Sequence, residues 1–369
     1  MKRRDFLKKA GVVAASTSLS PLMFANAQNS SFSFEMVTSW PTSLDTIYGG
    51  ATNTAAYLEE LTDGDVTVEV YPGGAQVGAL EVYDAVSSGA FTMGHTASYY
   101  YVGKDPTHAF FTAVPFGLNA QQMNAWFYQG GALELFNELN ARDGLIAFPA
   151  GNTGVQMGGW FNKEINTPAD LQGLTMRIPG LGGQVMTRAG ANVQNVPGGE
   201  VFLALDTGVI DAAEWIGPYD DEILGLNTAA QFYYAPGWHE PGPSLATYVN
   251  LAEYEGLPAD IQQAIQKASA RANLQMLGDY DAKNGPALNR LVEAGAQLRD
   301  FPDEVLNSLE DAMNAIHEET AASNEFYGQV YQNFQEFRDA IRDWHRISEY
   351  AYQNYVYRNA GSGSQSSEG

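Results

Sequence analysis

The sequence predicts an α/β fold built as two domains that face each other. Between residues 32 and 101, segments with strand-like alternation follow segments with helical periodicity, which is the order expected of a largely parallel sheet. Part of this order recurs, because residues 81–95 align with residues 200–214 as a helix, a glycine and a short strand. A chain of 369 residues is long enough for two such cores.

The elements of the first domain follow from the spacing of apolar residues and from the glycines that close them. Gly89 stands where a helix end needs left-handed backbone. We predict, in order, a strand (32–40), a helix (44–64), a strand (65–74), a helix (79–89) and a strand with its exit (90–101).

The second half continues in the same pattern and then becomes helical. Residues 154–164 predict a strand that crosses between the domains, and residues 167–180 predict a short helix and a strand. The glycine-rich segment 180–183 lacks the pattern of a phosphate-binding loop, so we interpret it as a loop before a helix that begins at about Gln184. From Pro258 to about Asn359 the chain is predicted to be helical.

These elements predict the following division of the chain. Domain I is residues 31–151 with about 241–275, domain II is residues 152–240, a helical segment of 276–358 packs on both domains or on a second subunit, and residues 359–369 are a disordered tail. The many aromatic residues of the last helices are expected to pack across both domains or against a second subunit of a homodimer, because one face of a monomer does not easily cover that much apolar surface.

The first 27 residues predict an export signal that is removed. Five basic residues are followed by a weakly apolar stretch and by Ala25-Asn26-Ala27 before Gln28, which is typical of a cleavage site. The segment "RRDFLK" is similar to a twin-arginine signal. The mature protein is therefore expected in the periplasm.

The composition excludes several classes of function. A formal net charge of −24 disfavours nucleic acid and anionic membranes as partners. The chain has no cysteine, which excludes disulfides, thiolate metal sites and a cysteine nucleophile. The sequence contains no pattern typical of a nucleophile elbow, a catalytic triad or a P-loop.

Two predicted strand exits carry polar residues that suit a small anionic ligand. Arg177 ends a strand beside Pro179 and Gly180, and its guanidinium suits a carboxylate. Glu214 ends a short buried strand, where a carboxylate is costly unless a cation or a donor lies near it. Because ligands of open α/β sheets bind at the carboxyl ends of strands, the exits at Tyr99–Tyr101 and at Glu214–Trp215 point to a shared cleft.

The acidic segment 210–222 divides into parts with different expectations. Asp220, Asp221 and Glu222 follow Gly217-Pro218 and predict a surface helix N-terminus, where acidic residues are favoured. Asp211 has no evident partner. His239 is interpreted as a packing or surface residue, because no second histidine stands at metal-binding spacing.

Six segments in this order resemble the solute-binding proteins of tripartite ATP-independent periplasmic (TRAP) transporters. They are "WPTSLDTIYGG", "YYYVGKDPT", "FPAGNTGVQMGGWF", "LTMRIPGLGG", "IDAAEWIGPYDDE" and "PGWHEPGP". The resemblance is to the branch that binds 2-oxo or 2-hydroxy monocarboxylates such as pyruvate or lactate, and it covers about residues 31–358. It implies a periplasmic binding protein with a ligand cleft between two domains, long C-terminal helices and TRAP permease subunits as partners.

The resemblance also implies roles for individual residues. Arg177 corresponds to the arginine that clamps the ligand carboxylate, with Asn152 and Tyr100 or Tyr101 on the ligand side. A bound cation is implied, held by Gln156, Glu214, the Trp215 carbonyl and Glu240. Counting charges favours Ca²⁺ slightly over Na⁺, because a divalent ion leaves the closed site neutral.

Two other functions fit the same residues. A metal-dependent enzyme acting on 2-oxo acids could use Glu214 or Glu240 as a base. The ligand-binding module of a sensor system would use the same pocket with a different partner. We interpret the chain as a receptor without enzymatic activity.

Overall fold

A computed structural model describes residues 32–360 as two β-sheets surrounded by helices. The predicted signal segment and the residues after 360 lie outside the described part of the chain. In residues 32–360, no helix combines the length and hydropathy that a membrane crossing requires.

The first sheet, sheet A, is assembled from strands near both the beginning and the middle of the chain. Strand order is β2-β1-β3-β10-β4, in which β1 is parallel to β2 and β3, whereas β10 is antiparallel to both of its neighbours. Its strands are β1 (Phe32–Thr38), β2 (Val66–Tyr71), β3 (Met93–Thr96), β4 (Leu145–Asn152) and β10 (Ser244–Asn250).

The second sheet, sheet B, has shorter strands in the order β11-β9-β5-β8-β6-β7. Its strands are β5 (Gly159–Phe161), β6 (Thr175–Arg177), β7 (Asn192–Gln194), β8 (Ala212–Ala213), β9 (Phe232–Ala235) and β11 (Gln297–Asp300). Strand β6 is parallel to both β7 and β8, so the carboxyl ends of these three strands meet at one edge of the sheet.

Helices cover both sheets and form the whole C-terminal part except β11. They are α1 (Asp45–Leu61), α2 (Val82–Ser87), α3 (Ala120–Gln129), α4 (Ala132–Ala141), α5 (Gly180–Arg188), α6 (Gly198–Asp206), α7 (Pro218–Leu224), α8 (Leu226–Ala229), α9 (Leu251–Gly256), α10 (Ala259–Glu293), α11 (Asp303–Ser323), α12 (Glu325–Ile347) and α13 (Glu349–Ala360). Short 3-10 turns span Ser98–Tyr101, Pro106–Phe111 and Pro168–Leu171.

The predicted α/β class, with long C-terminal helices, is confirmed. The predicted repeat is also visible, because α2 and α6 are each followed by a glycine with positive φ, Gly89 at 74° and Gly208 at 73°, and then by a strand. Two local predictions are wrong. Helix α5 begins at Gly180 rather than at about Gln184, and β11 interrupts the region predicted to be wholly helical.

Helix α10 connects the two halves of the fold. It packs on α1 and on β4 of sheet A, and it also contacts α7, which follows β8 of sheet B. Helix α1 comes close to α10 at Gly50, because this residue has no side chain. A Cβ there would lie 2.4 Å from the methyl group of Met276 on α10. Helix α10 therefore packs on sheet A and on α7, the helix that follows β8 of sheet B.

Candidate ligand and cation site

Loops at the strand ends of the two sheets meet around one small cavity. Arg177 is the last residue of β6, and Glu214 follows β8 directly, with Arg177 paired to Ala213 across the two strands. Backbone hydrogen bonds hold the other two segments in place, since Gln156 N–H donates to Glu240 O at 3.1 Å and Met157 N–H donates to Ile216 O at 3.0 Å. Four distant segments of sequence therefore converge here.

Arg177 is buried, with 1% of its surface exposed, and only part of its guanidinium is used. Nε donates to Val196 O at 3.1 Å, and Nη1 donates to Glu214 O at 3.1 Å and to the Glu214 carboxylate. Nη2 has no partner among the described residues. A buried guanidinium with a free donor group is suited to bind a carboxylate.

Three ionisable side chains lie beside Arg177. One ligand atom each of Glu214, His239 and Glu240 lies within 4.8 Å of the others, and all three residues are buried. His239 Nε2 is 3.3 Å from Glu214 Oε2. Burial, followed by the charge of Glu214, raises the pKa of Glu240 well above its usual value. Burial and the neighbouring Glu214 thus disfavour the ionised form of Glu240, and a cation bound between the two carboxylates would favour it.

Two oxygen atoms around this cluster have no partner among the described residues. They are Gln156 Oε1 and Glu240 Oε2, while Gln156 Nε2 donates to Thr153 Oγ1 at 3.2 Å. Leaving buried acceptors unpaired is costly. Carboxylate and amide oxygens are the ligands that hard cations prefer, so the donor set fits Na⁺ or Ca²⁺.

The cavity enclosed by these groups is small, with about 10 Å³ of volume available to the centre of a water molecule. Its lining residues are Trp40, Ile47, Tyr99, Tyr100, Thr153, Gln156, Arg177, Trp215, Ile216, Glu240, Pro243 and Leu245. The apolar wall is held by His95, whose Nδ1 accepts a 2.8 Å hydrogen bond from Trp40 Nε1. One polar side and one apolar side suit a small amphipathic anion.

Most of the residues predicted from the sequence lie at this cavity. Arg177, Gln156, Trp215, Glu240 and Tyr100 line it. Glu214 contacts it through Arg177.

Two residues predicted on the ligand side point elsewhere. Tyr101 faces the core, where its hydroxyl accepts from Tyr83 N–H at 3.1 Å. Asn152 uses both ends of its amide in backbone contacts, accepting from Gly154 N–H at 2.9 Å and donating to Gly242 O, in the segment before β10, at 3.1 Å. Neither residue lines the cavity here, whereas Tyr99, which the sequence placed at the shared cleft, and Thr153 do.

The acidic segment 210–222 also differs from expectation. Asp220 and Asp221 lie in the first turn of α7 as predicted, but they are buried rather than on the surface. Their oxygens accept hydrogen bonds from tryptophan and tyrosine side chains, which replace the lost water. Glu222 pairs with Arg290, and Asp211 caps the backbone N–H of Thr175 at 2.9 Å.

Comparison with known proteins identifies the family. The model of bacterial extracellular solute-binding protein family 7 matches residues 36–324. The chain belongs to this family. The sequence resemblance to TRAP transporter solute-binding proteins is thereby confirmed.

Three known proteins show how similar the chain is to proteins of stated function. It is 49% identical to a monocarboxylate 2-oxoacid-binding periplasmic protein of Nostoc sp., over 96% of this chain and 99% of that protein. A TRAP transporter solute-binding protein from Bordetella bronchiseptica is 41% identical with a TM-score of 0.89, covering 90% of this chain and 99% of that one. It is a mixed-occupancy dimer with copurified calcium and picolinate in one active site. A TRAP periplasmic solute-binding protein from Pseudoalteromonas atlantica, with bound sodium and pyruvate, is 37% identical with a TM-score of 0.85, covering 88% and 99%.

Proposed function

We propose that the protein is the periplasmic receptor of a TRAP transporter and captures a small 2-oxo or 2-hydroxy monocarboxylate together with one cation. The observation that carries this proposal is the set of unpaired buried atoms around one cavity. Arg177 Nη2 is a free donor, and Gln156 Oε1 and Glu240 Oε2 are free acceptors. An anion alone would satisfy only the donor, and a cation alone would satisfy only the acceptors, so the site needs both.

Some of these residues bind the acid and others bind the cation. Arg177 clamps the ligand carboxylate, and the aromatic wall around Tyr100 packs against its short carbon chain. Gln156, Glu214, Glu240 and the Trp215 carbonyl hold the cation. The carbonyl or hydroxyl oxygen next to the ligand carboxylate completes the coordination, which explains a preference for 2-oxo and 2-hydroxy acids over simple carboxylates.

Charge balance favours calcium over sodium. Glu214, Glu240 and a monocarboxylate bring three negative charges to the cavity, and Arg177 brings one positive charge. Sodium leaves one negative charge in the closed site, whereas calcium leaves none, and uncompensated buried charge is expensive. Similar proteins have been crystallised with calcium or with sodium, so a site of this type can bind either ion.

Calorimetry tests the proposal. Pyruvate is titrated into chelator-treated protein in calcium, in sodium and in a buffer that contains neither ion. We expect the tightest binding in calcium and the weakest without either ion. Glu222→Gln, which removes a partly exposed carboxylate paired with Arg290, is the control and should bind like wild type. Equal affinity in sodium and calcium would reject the calcium preference, and no binding in any buffer would reject the function.

The receptor performs no chemistry on the acid in this proposal. The residues that line the cavity bind and position the acid, and they include no nucleophile paired with a base. Pyruvate incubated with protein and metal should therefore be recovered unchanged. Delivery of the acid to TRAP membrane permease subunits, export through the predicted signal and location in the periplasm follow from the same proposal and from the periplasmic relative.

We further propose that the protein forms a homodimer through its last two helices. The apolar side chains near the end of α12 and in α13 are mostly exposed: Trp344 61%, Ile347 64%, Tyr350 62%, Tyr352 69% and Tyr357 75%. Such a surface exceeds what a soluble monomer usually exposes. Light scattering of the full chain should report the mass of a dimer. A chain truncated before Trp344 should report the mass of a monomer, and a dimer mass for that chain would contradict this interface.

Sheets A and B form the cores of two domains in this proposal, with residues 31–151 and about 241–275 in one and residues 152–240 in the other. Closure of the domains on the ligand would bring Trp40 and Arg177 to opposite sides of the same acid.

A further inference from the structure

Asp220 is a buried carboxylate that has no ion-pair partner in residues 32–360. It is fully buried, and its Oδ2 accepts hydrogen bonds from Tyr280 Oη at 2.9 Å and from Trp215 Nε1 at 3.3 Å. Its Oδ1 has no partner among the described residues. Burying a carboxylate without a cation is costly. The two hydrogen bonds orient the side chains that donate them in a way that an apolar residue could not.

The first partner, Trp215, belongs to the ligand site. Its ring lies 5.0 Å from the Arg177 guanidinium and lines the cavity. The ring is also wedged against the start of α6, because a Cβ on Gly198 would lie 2.2 Å from it. Asp220 is the polar anchor that holds the indole N–H in this position.

The second partner, Tyr280, belongs to α10, the helix that packs on α1 and β4 of sheet A. The hydrogen bond from Tyr280 to Asp220 therefore joins α7, which follows β8 of sheet B, to a helix that packs on sheet A. A second bond reinforces it, since Asn284, one turn further along α10, accepts from Tyr219 N–H at 3.0 Å.

The neighbouring Asp221 provides a contrast within the same turn. Its oxygens accept from Trp160 Nε1 at 3.0 Å, from Tyr233 Oη at 2.7 Å and from Ile216 N–H at 3.4 Å. Trp160 and Tyr233 lie on strands β5 and β9, so Asp221 ties sheet B to itself. Each aspartate thus accepts from one tryptophan and one tyrosine, but these partners belong to different parts of the fold.

We propose that Asp220 is a positioning residue of the ligand site: it orients Trp215 against Arg177 and, through Tyr280, makes that orientation depend on α10. This inference rests on the proposed function, because it assigns a role toward the same acid and cation. Loss of such a supporting hydrogen bond typically weakens metal sites about tenfold or more.

The test compares two tyrosines that each lose one hydroxyl bonded to an aspartate. Tyr280→Phe removes the bond to Asp220, and Tyr233→Phe removes the bond to Asp221; both tyrosines are fully buried. Pyruvate affinity in calcium is measured by calorimetry and the thermal midpoint by calorimetric unfolding. We expect both variants to lose stability, but only Tyr280→Phe to lose about tenfold or more in affinity. Asp220→Asn keeps an oxygen acceptor for both partners and should bind nearly as wild type does.

A second readout does not need the ligand. Tryptophan indole N–H resonances are recorded by NMR and assigned with Trp215→Phe and Trp160→Phe. Tyr280→Phe should shift the Trp215 resonance, and Tyr233→Phe should shift that of Trp160 instead. Equal affinity losses in the two tyrosine variants, an unshifted Trp215 resonance in Tyr280→Phe, or a large affinity loss in Asp220→Asn would each overturn the inference while leaving the proposed function intact. Wild-type protein that binds no pyruvate would instead reject the proposed function, and this inference with it.

Discussion

Replacing Arg177 by lysine separates the shape of the guanidinium from its charge. In the structure Nε donates to Val196 O and Nη1 to Glu214, while Nη2 remains for the ligand. A lysine ammonium at the end of a flexible chain cannot hold both protein carbonyls and still present a fixed N–H donor to the ligand carboxylate. The variant keeps the positive charge near Glu214 and loses the hydrogen bond that Nη2 offers to the ligand.

The size of the effect follows from the bonds that are lost. One hydrogen bond to a charged partner is worth about 1.5–3 kcal/mol, and the loss of one such bond to the ligand lowers affinity roughly tenfold to hundredfold. The matched control is Arg188→Lys on α5, whose partner Glu319 and whose own side chain are both solvent-exposed, at 63% and 40%. Exposed pairs contribute at most about 1 kcal/mol to stability, and this one does not contact the central cavity.

Calorimetric titration with pyruvate in calcium measures both variants, and thermal unfolding verifies that each is folded. We expect a large affinity loss for Arg177→Lys and none for Arg188→Lys. Near-normal binding by a folded Arg177→Lys protein would remove Arg177 from the role of carboxylate clamp.

Three further predictions concern the neighbours of the cavity. Gly198→Ala drives a Cβ into the ring of Trp215, at a typical overpacking cost of about 1–3 kcal/mol, and should weaken pyruvate binding. The control is Gly199→Ala, whose Cβ meets nothing within 4 Å. Equal effects of the two substitutions on affinity would contradict the packing of Trp215 on Gly198. Glu240→Gln removes a buried carboxylate, so it should weaken cation-dependent binding but raise the thermal midpoint of ligand-free protein, and an unchanged affinity would exclude Glu240 as a ligand. Burial raises the pKa of Asp220 from 3.8 to about 7, so the protein takes up a proton on folding at pH values between these two. The free energy of unfolding should therefore rise as the pH falls from about 7 toward 3.8. Asp220→Asn should flatten this dependence in urea titrations at pH 4 to 8, and an unchanged slope would contradict the raised pKa.

The sequence predicted those parts of the fold that depend on local pattern. Strands β1, β2 and β3 and helices α1 and α2 were predicted because period-two and helical spacing are local, and because Gly89 and Gly208 mark turns that need positive φ. Strand β11 was missed since four residues between two long helices carry little pattern of their own, and their pairing partner β9 lies more than 60 residues earlier.

The site was predicted less evenly, because burial is decided by distant partners. Asp220 and Asp221 have the sequence of a surface helix start, and hydrogen-bond donors from other elements, among them Tyr280 and Tyr233, make their burial possible. The three tyrosines at Tyr99–Tyr101 look alike in sequence, but the 3-10 turn they form directs two toward the cavity and the third into the core. His239 had no signal, since its contact with Glu214 joins loops from separate strands.

The central claim is that the acid and the cation bind as a pair, and native mass spectrometry tests it most directly. Protein is stripped of ligands, equilibrated with pyruvate and calcium, and compared with protein given pyruvate alone or calcium alone. We predict that ions carrying one pyruvate also carry one calcium, and that pyruvate alone gives little adduct. Abundant ions that carry pyruvate without any metal, or no pyruvate adduct when calcium is present, would contradict the account.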